Sequence, residues 1–498
     1  MTLEDWLDGL HIGVVVLLLA LVGFGVIPIL STAYQFFVIP FHSVRNHYRH
    51  AGPYLPRVAV IIPAWNEGQV IGPSIDRLMA LDYPADRIRI YVVDDASTDS
   101  TPEVVRAKAE LYPGSVFHLR RATGGEGKAH TLNYGLREIL RDDWMQATLI
   151  MDADVIYLPD SLRKMTRHLA DETVGAVTAY IREGSADKTY LTRFIAFEYV
   201  LAQLAARRAQ NVTGALACLA GGAQLHSRRN LEDLGGQIDT STLAEDTITT
   251  FETQLRGRRA VFEPNAVVLA EEPQSIRALW KQRLRWARGN LQVTARYRRY
   301  WFRPDRNRQL GSLSFGLQWF SILLLPQVMV LAPIGFLGLF FLDTGIANAA
   351  FRSTWILAAC LYVYTVIFAL QLDGKASVSS WREAIFAPGI VSVLVMVTAF
   401  FPGLLETKIP GLFGLRLTVG GHIVWTIFVY IWISIAMVVA NVAKAIEGTR
   451  VGFLVPILMY LVGYGPFLCA VTVDAYYREF RHADSVWEKT EKIGRVLG

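Results

Sequence analysis

The chain of 498 residues contains only three cysteines, Cys218, Cys360 and Cys469, which lie far apart and without the spacing of a metal site. This scarcity predicts reduced, buried thiols and gives no indication of an oxidising compartment for the soluble part. The net charge of +5 is small. Nucleic acid is therefore not expected as a partner, and the slight basic excess is typical of the cytoplasmic loops of a membrane protein. The sequence also lacks internal repeats and low-complexity segments.

Charge is scarce in the second half of the chain. Of all residues 52% are hydrophobic, and the mean hydropathy is +0.30, which predicts membrane spans. From Gly311 to Val473 only twelve residues are charged, and they separate apolar runs that are each long enough to cross a bilayer. The predicted spans in this half are Phe320–Leu342, Thr354–Leu372, Ile385–Leu404, Gly421–Asn441 and Phe453–Val473.

An apolar run from about His11 to Phe37 predicts one further span near the start of the chain. Acidic residues precede this run and basic residues follow it, which is the reverse of a secretory signal peptide. We therefore expect an uncleaved anchor whose N-terminus lies outside and whose following residues are cytoplasmic. The basic residues that follow it are Arg45, His47, Arg49 and His50.

The sequence leaves open on which side of the membrane the C-terminus lies. Five spans after a cytoplasmic domain would place the tail outside, although its basic residues are typical of a cytoplasmic segment. One apolar segment is therefore expected to lie in the plane of the membrane. The stretch after Leu404, with Pro402 and Pro410 nearby, is the candidate for irregular backbone. The basic residues of the tail are Arg478, Arg481, Lys489, Lys492 and Arg495.

The residues from about Pro56 to Asn307 have the composition of a soluble enzyme. Apolar runs of strand length alternate with helical patterns, which predicts an α/β domain with a largely parallel sheet covered on both faces. In such sheets, ligands bind at the carboxyl ends of the strands. The predicted strands are Val58–Ile62, Ile88–Val93, Thr148–Met151 and Gly175–Ala179, and the predicted helices include Val70–Ala80 and Pro102–Leu111.

Carboxylates lie at the ends of two predicted strands. Asp94 and Asp95 end one of them, and two adjacent carboxylates repel each other unless donors such as those of a uracil ring and a ribose lie between them. Asp152 and Asp154 lie at the end of another as alternate residues, so that both can face one cation. A hard divalent ion such as Mg²⁺ or Mn²⁺ often bridges carboxylates to substrate phosphates. The sequence therefore predicts a metal–diphosphate site at this sheet edge.

Three shorter motifs lie near these carboxylates in the predicted fold. Asn66 and Glu67 follow the first strand and either hydrogen-bond a ribose or base or cap the next helix. Lys128 lies in a glycine-rich segment that lacks the spacing of a P-loop, and it can contact a diphosphate or base. His130, two residues later, is interpreted as structural. Gly221 and Gly222 would let an acceptor sugar lie against the backbone.

Two further motifs complete the set of candidate site residues. Glu245 and Asp246 open a predicted helix, where Asp246 can serve as the general base for an acceptor hydroxyl and Glu245 can orient it. The alternative is that both carboxylates only complement the helix dipole. Gln282, Arg285 and Trp286 lie on one helix face, and they can bind an acceptor, clamp a diphosphate and stack on a sugar. The alternative for this segment is a basic, aromatic helix at the membrane surface over Trp280–Arg303.

In this order between membrane spans, the motifs Asp94-Asp95, Asp152-x-Asp154, Glu245-Asp246 and Gln282-x-x-Arg285-Trp286 resemble those of the processive family 2 glycosyltransferases. That family includes cellulose, chitin, hyaluronan and poly-N-acetylglucosamine synthases. The segment Leu279–Gly289 is most similar to the poly-N-acetylglucosamine and hyaluronan synthases. Two features count against cellulose: Ala244 replaces the expected threonine, and the short tail after Asp474 has no room for a cyclic-dinucleotide-binding domain. Gly221-Gly222 stands where the N-acetylglucosamine group has Ser-Gly.

The resemblance implies a GT-A fold inserted between transmembrane helices, an inverting displacement, a UDP-sugar donor and Mg²⁺ or Mn²⁺. It implies uridine binding by Asp94 and Asp95, metal binding by Asp154, and base catalysis by Asp246. The implied product is a β-linked exopolysaccharide extruded across the bacterial inner membrane, with UDP-N-acetylglucosamine favoured as donor. The domains expected are an anchor (1–50), a cytoplasmic catalytic domain (51–275), interfacial helices (276–318), a channel bundle (319–474) and a tail (475–498).

The expected partners are a UDP-sugar, the growing polysaccharide and the lipid bilayer, with an accessory membrane or periplasmic subunit as a further candidate. Two other functions compete with this interpretation. A non-processive enzyme of the ceramide-glucosyltransferase type shares the carboxylates but glycosylates a lipid and needs no channel. A transporter with a regulatory nucleotide-binding domain would show repeats or intramembrane charges, and none is evident in the sequence.

Overall fold

The computed structural model describes residues 3–44, 51–401, 403–412, 414, 418–483 and 496. The chain divides into two compact units, one formed by Phe37–Gly316 with Arg481–Gly498 and the other by Met1–Phe36 with Leu317–Phe480. The finer division into five domains stays a prediction. Several residues used above for the membrane orientation lie outside the described residues, namely Arg45, His47, Arg49, His50, Pro402, Lys489, Lys492 and Arg495.

The first helix, α1, runs from Leu3 to Val44, and its segment Asp5–Val44 is long and apolar enough to cross a membrane. The predicted N-terminal span at His11–Phe37 lies within it. A bilayer core of about 30 Å needs roughly 20 apolar residues, so the helix is longer than one crossing requires.

The larger unit is built on one eight-stranded sheet with the order β3-β2-β1-β4-β7-β6-β8-β5. The strands are β1 (Val58–Ala64), β2 (Ile88–Asp94), β3 (Val116–Arg120), β4 (Ala147–Ile150), β5 (Val155–Tyr157), β6 (Val174–Glu183), β7 (Gln224–Ser227) and β8 (Arg259–Ala270). The helices of this unit are α2 (Ile71–Met79), α3 (Thr101–Leu111), α4 (Lys128–Ile139), α5 (Ser161–Thr166), α6 (Tyr190–Tyr199), α7 (Ala206–Thr213), α8 (Arg228–Asp233), α9 (Glu245–Leu255) and α10 (Ile276–Arg296).

The sheet is mixed, and the prediction of a largely parallel sheet was wrong for part of it. Strand β1 pairs in parallel with β2 and β4, and β2 pairs in parallel with β3. Strand β7 is antiparallel to β4 and β6, and β5 is antiparallel to β8. All residues of Val58–Ile62 are fully buried, because a parallel strand covered on both faces has no solvent side. The carboxyl ends of β1, β2 and β4 therefore meet at one edge of the sheet.

The smaller unit is helical. The helices that follow α10 are α11 (Leu313–Leu323), which begins in the larger unit, and then α12 (Leu325–Leu342), α13 (Thr344–Leu372), α14 (Gly374–Ser379), α15 (Trp381–Phe386), α16 (Ile390–Phe400), α17 (Ile409–Leu412), α18 (Val419–Ile446), α19 (Val455–Val462) and α20 (Tyr464–Phe480). Among the described residues, α1, α12, α13 and α18 are long and apolar enough to span a membrane. Helices α19 and α20 also qualify as one span if taken together, although they are bent by 104°.

The predicted span over Ile385–Leu404 is not one continuous helix among the residues that the structure describes. Its apolar core is the 11-residue helix α16, which is too short to cross a bilayer. Gly389 separates α16 from α15 with a φ of +91°, and Gly463 separates α19 from α20 with a φ of +89°. The two breaks touch: a Cβ on Gly463 would lie 2.3 Å from the backbone nitrogen of Gly389. A residue with a side chain would fit at neither break. The length of an apolar run in the sequence therefore overestimates the length of the continuous helix in this region.

Candidate active site

The loops after β1 and β2 are held together by hydrogen bonds. The backbone N–H of Asp95 donates to the carbonyl of Ala64 over 2.8 Å. The backbone N–H of Asn66 donates to the Ser97 hydroxyl over 3.0 Å, and the Asn66 side-chain oxygen accepts from the Thr98 N–H over 2.9 Å. Helix α2 has no side-chain cap, which disfavours the interpretation of Asn66 or Glu67 as its cap. Their predicted role in donor binding stays a prediction.

The two adjacent carboxylates of the second loop have different surroundings. Asp94 is fully buried and accepts from the Ser97 N–H over 2.8 Å, with the His118 ring nitrogen 3.3 Å away. Asp95 pairs with Arg121 and accepts from the Gly125 N–H over 2.9 Å. The glycine-rich segment is thereby attached to the strand end by Asp95. Arg121 was missed by sequence reasoning, because its position in the sequence does not indicate which carboxylate it meets.

Lys128, the first residue of α4, lies among three predicted site residues. Its ammonium nitrogen is 2.6 Å from an oxygen of Asp152 and 3.5 Å from an oxygen of Glu245, and it donates to the carbonyl of Gly221 over 3.1 Å. Burial lowers the pKa of Lys128, but Asp152 and Glu245 raise it by more, so that the net pKa is above its usual value. The side chain is therefore a permanent cation in this cluster.

Glu245 and Asp246 form the first turn of α9. Burial raises the pKa of Glu245 above its usual value, Lys128 and Arg285 counteract that rise, and Asp246 reinforces it. Arg285 thus acts electrostatically on Glu245, and its predicted role in binding the diphosphate stays a prediction. Helix α10 can pack closely against Ala244, directly before α9, because Gly289 has no side chain. A Cβ on Gly289 would lie 2.6 Å from the Cβ of Ala244. Gly289 was not recognised as a site-building residue from the sequence.

Gly221 and Gly222 lie between the carboxylates of Asp246 and Asp152. A Cβ on Gly221 would lie 3.2 Å from an oxygen of Asp246 and 3.3 Å from the ammonium of Lys128. A Cβ on Gly222 would lie 3.3 Å from an oxygen of Asp152. Side chains at these two positions would therefore enter the space between Asp246 and Asp152. This placement brings together five of the predicted residues that lie far apart in the sequence.

Asp246 also acts on the pKa values of the buried Arg207, which the sequence did not single out, and of the partly buried Cys218. Burial lowers the pKa of Arg207, and Cys218 and Asp246 oppose that shift. Burial raises the pKa of the Cys218 thiol, and Asp246 adds to the rise. The Cys218 thiol thus stays protonated. The prediction of buried thiols holds for Cys469 but was wrong for Cys360, which is exposed, and Cys218 is only partly buried.

The helix that carries Gln282, Arg285 and Trp286 ends at Arg296, so the predicted helix to Arg303 was too long. Gln282 is buried, and its amide donates to Glu272 over 3.4 Å. The Trp286 side chain is 39% exposed. The two residues therefore differ: Trp286 offers accessible ring surface, whereas the Gln282 amide is engaged by protein side chains.

A divalent cation is compatible with Asp152 and Asp154 but needs further ligands. No group of three or more His, Cys, Asp and Glu side chains that could hold a metal ion occurs within the described part of the chain. Asp152 already contacts a cation, the ammonium of Lys128, so its surroundings accept positive charge. Mg²⁺ and Mn²⁺ are commonly held by one or two carboxylates with substrate phosphates, and this donor set fits that pattern.

This chain is similar to known glycosyltransferases. The model of the family "Glycosyltransferase like family 2" matches residues 56–289. YdaM, a probable glycosyltransferase of Bacillus subtilis, is 31% identical over 339 residues, 64% of this chain and 75% of that protein.

Two relatives with more specific names match over shorter stretches. The beta-monoglucosyldiacylglycerol synthase of Synechocystis is 33% identical over 251 residues, 50% of each chain. The poly-beta-1,6-N-acetyl-D-glucosamine synthase of Staphylococcus aureus is 28% identical over 243 residues, 49% of this chain and 56% of that protein. The chain thus spans about half the length of these two relatives.

Among solved structures, the mannosyltransferase PcManGT from Pyrobaculum calidifontis, in complex with GDP-Man and Mn²⁺, is similar with a TM-score of 0.54. The match has 23% sequence identity and covers 79% of this chain and 99% of that chain. Together with the family match, this similarity confirms the predicted GT-A fold.

Proposed function

This chain belongs to the family 2 glycosyltransferases, and we propose that it adds sugars processively from a UDP-sugar, preferably UDP-N-acetylglucosamine, to a β-linked polysaccharide. We further propose that it moves this polymer across the bacterial inner membrane and that the catalytic unit is cytoplasmic. It is an enzyme that uses a nucleotide sugar, so the transporter interpretation is set aside. The observation that carries the proposal is the cluster of Asp152, Lys128, Gly221, Glu245 and Asp246 at one sheet edge.

The proposed chemistry gives each of these groups one role. Asp246 takes the proton of the acceptor hydroxyl as that oxygen attacks the anomeric carbon, and the carbon–oxygen bond to UDP breaks on the opposite face, which inverts the configuration. Gly221 leaves room for the acceptor beside Asp246. Lys128 and Arg285 face the departing diphosphate, and fixed cations there stabilise the charge that develops on it.

Asp152 and Asp154 would hold the divalent cation together with the substrate phosphates. Such an ion supplies further positive charge to the leaving group. The mannosyltransferase complex with GDP-Man and Mn²⁺ supports this role for a divalent cation, although its donor is a guanosine and not a uridine nucleotide. Asp94 and Asp95 are proposed for the uridine, Asn66 and Glu67 for the donor, and Gln282 and Trp286 for the acceptor.

Two relatives support different acceptors. The Staphylococcus aureus synthase is named for a polymer of N-acetylglucosamine, which favours the processive function. The Synechocystis enzyme is named for a glucosylated diacylglycerol, which favours a second candidate, a glycolipid synthase that adds one sugar to a lipid. The series of membrane-length helices after the catalytic stretch is the reason to put the polymer first, because a lipid acceptor needs no channel.

Donor and product are measured together on the full-length protein in detergent. UDP release is followed with UDP-glucose, UDP-N-acetylglucosamine, UDP-galactose or UDP-glucuronate, singly and in pairs, with Mn²⁺ or Mg²⁺, and the product is sized. A high-molecular-weight product supports the synthase, and the active donor identifies the sugar. A lipid-sized product selects the glycolipid function instead, and the absence of turnover with every donor contradicts both.

The base is tested by Asp246→Asn, which keeps the size of the side chain and removes its basicity. Transfer is expected to fall by about 10²–10⁴-fold, the usual contribution of a general base, while UDP binding is retained. Glu110→Gln on the exposed surface of α3 is the matched control. Transfer at the wild-type rate by Asp246→Asn would show that another group takes the proton.

A further inference from the structure

Arg283 lies against the face of Trp286 and is not among the residues assigned above. The arginine is only 4% exposed, and its guanidinium carbon lies 4.0 Å from the centroid of the Trp286 ring. It is also 5.7 Å from the ring centroid of Tyr199. A guanidinium stacks well on aromatic faces because it is planar and weakly hydrated. One face of Trp286 is therefore covered by protein, while the residue keeps 39% of its surface exposed.

The guanidinium is itself fixed by two charge-assisted hydrogen bonds. One Nη donates to the carboxylate of Glu198 over 2.7 Å, and the other donates to the side-chain oxygen of Gln282 over 2.7 Å. Both bonds lie close to the length expected when one partner is ionised. The Arg283 side chain thus links two of the proposed acceptor residues, Gln282 and Trp286, to helix α6.

The network continues beyond Gln282. The Gln282 amide donates to one oxygen of Glu272, and the Tyr199 hydroxyl donates to the other over 2.7 Å. Burial and the neighbouring Glu272 raise the pKa of Tyr199, which keeps the hydroxyl protonated as a donor. Glu198 and Tyr199 are the last residues of α6, directly before the π-helical turn Val200–Ala205. Such turns occur often at functional sites.

We propose that Arg283, anchored by Glu198, is a positioning residue that fixes the Trp286 ring and the Gln282 amide for the acceptor sugar. This inference rests on the proposed function, since it takes Trp286 as the acceptor platform. Arg283 does not touch the reacting atoms. It acts by holding the indole in one orientation, so that the ring face opposite the guanidinium is presented. Lysine cannot replace it, because a single ammonium cannot stack on the ring and bond both Glu198 and Gln282.

The first test compares the wild-type protein with Arg283→Lys, using a short β-linked N-acetylglucosamine oligosaccharide as acceptor. The acceptor KM is expected to rise about tenfold, in line with the loss of a buried cation–π contact and its hydrogen bonds, while the donor KM changes less than about twofold. Arg277→Lys, exposed on the same helix, is the matched control and is expected to behave like wild type. An unchanged acceptor KM in Arg283→Lys overturns the inference.

A double-mutant cycle distinguishes positioning from general stabilisation. If Arg283 acts through Trp286, the change Arg283→Lys has little further effect on acceptor KM in a Trp286→Ala background. A full additive effect in that background overturns the inference. If Arg283→Lys fails to fold, Glu198→Gln replaces it in both tests, since it removes the anchoring charge and retains the arginine.

A spectroscopic readout keeps the inference testable apart from catalysis. The contribution of Trp286 to fluorescence is obtained as the difference between each protein and its Trp286→Phe counterpart. Acrylamide is expected to quench this contribution more strongly in Arg283→Lys than in wild type, because the covered ring face opens. Equal quenching contradicts the inference. A wild-type protein that transfers no sugar to any acceptor would contradict the proposed function instead, and the quenching result would still decide the role of Arg283.

Discussion

Lys128 is expected to serve as the resident cation of the carboxylate cluster, and Lys128→Met tests this. The substitution keeps the length of the side chain but leaves Asp152, Glu245 and Asp246 without the charge that now lies 2.6 Å from Asp152. Removing one partner of a buried ion pair costs about 3–5 kcal/mol. Because the Asp152 side chain is 37% exposed, we expect about 3 kcal/mol, the lower end of that range, after screening by solvent.

A loss of this size is measurable by thermal unfolding of the full-length protein in detergent. For a unit of roughly this size, about 1 kcal/mol corresponds to a shift of roughly 2–4 °C in Tm. Lys128→Met should therefore unfold about 6–12 °C below wild type in EDTA. If Asp152 and Asp154 form the proposed metal site, excess Mn²⁺ restores part of this loss, because binding to the folded state alone stabilises it.

A matched ion pair elsewhere in the same unit provides the control. Lys108 lies 2.6 Å from Asp76, but these side chains are 21% and 43% exposed. Lys108→Met should cost no more than about 1 kcal/mol, as expected for an exposed pair, and the loss should not depend on Mn²⁺. Equal losses for the two variants would refute the role of Lys128 as a buried counterion. A large loss that Mn²⁺ leaves unchanged would refute a metal site at Asp152.

Two further predictions concern His226 and Gly335. Burial lowers the pKa of His226 from 6.5 to about 4. As the pH drops, this histidine is therefore protonated in the unfolded chain before it is protonated in the folded protein. The free energy of unfolding should fall between pH 6.5 and pH 4, by up to about 3 kcal/mol. Urea unfolding at pH 7 and 4.5 should show a smaller pH effect in His226→Gln, and an equal effect contradicts the assignment. At Gly335 a Cβ would lie 2.8 Å from the Leu18 carbonyl oxygen, so Gly335→Leu should separate α1 from α12 and cost about 1–3 kcal/mol. The yield of monodisperse protein in detergent should fall for Gly335→Leu but not for Gly420→Leu, where a Cβ meets open space.

The sequence predicted those parts of the fold in which apolar periodicity is strong. Strands β1, β4 and β6 coincide with apolar runs, since they are buried on both faces. Strand β2 also coincides with such a run, although Arg89 and Tyr91 are only partly buried. Strand β3 was missed because His118 and Arg120 interrupt its apolar pattern, and the three-residue β5 is too short to show one. Strands β7 and β8 were not predicted because polar residues interrupt their apolar patterns at irregular intervals.

The candidate site was predicted as a set of residues but not as an arrangement. Residue types and their order indicated Asp152, Glu245 and Asp246, because carboxylates after strands and at helix starts are recognisable. That Lys128 lies between Asp152 and Glu245 depends on how distant segments pack. Arg283 was interpreted only as part of a basic face, since nothing local reveals that Glu198 neutralises it. Long-range pairing of this kind leaves no signal in one sequence.

The short helix α16 suggests a solution to a conflict that the sequence alone left open. Five spans after the catalytic stretch would place the basic tail outside, against the usual distribution of Lys and Arg. Without α16, and with the bent pair α19–α20 taken as one crossing, the described helices provide α12, α13, α18 and that pair. An even number of crossings returns the chain to the side from which it started. We therefore propose that the tail and the catalytic unit share the cytoplasmic side, which agrees with the charges of Arg478 and Arg481.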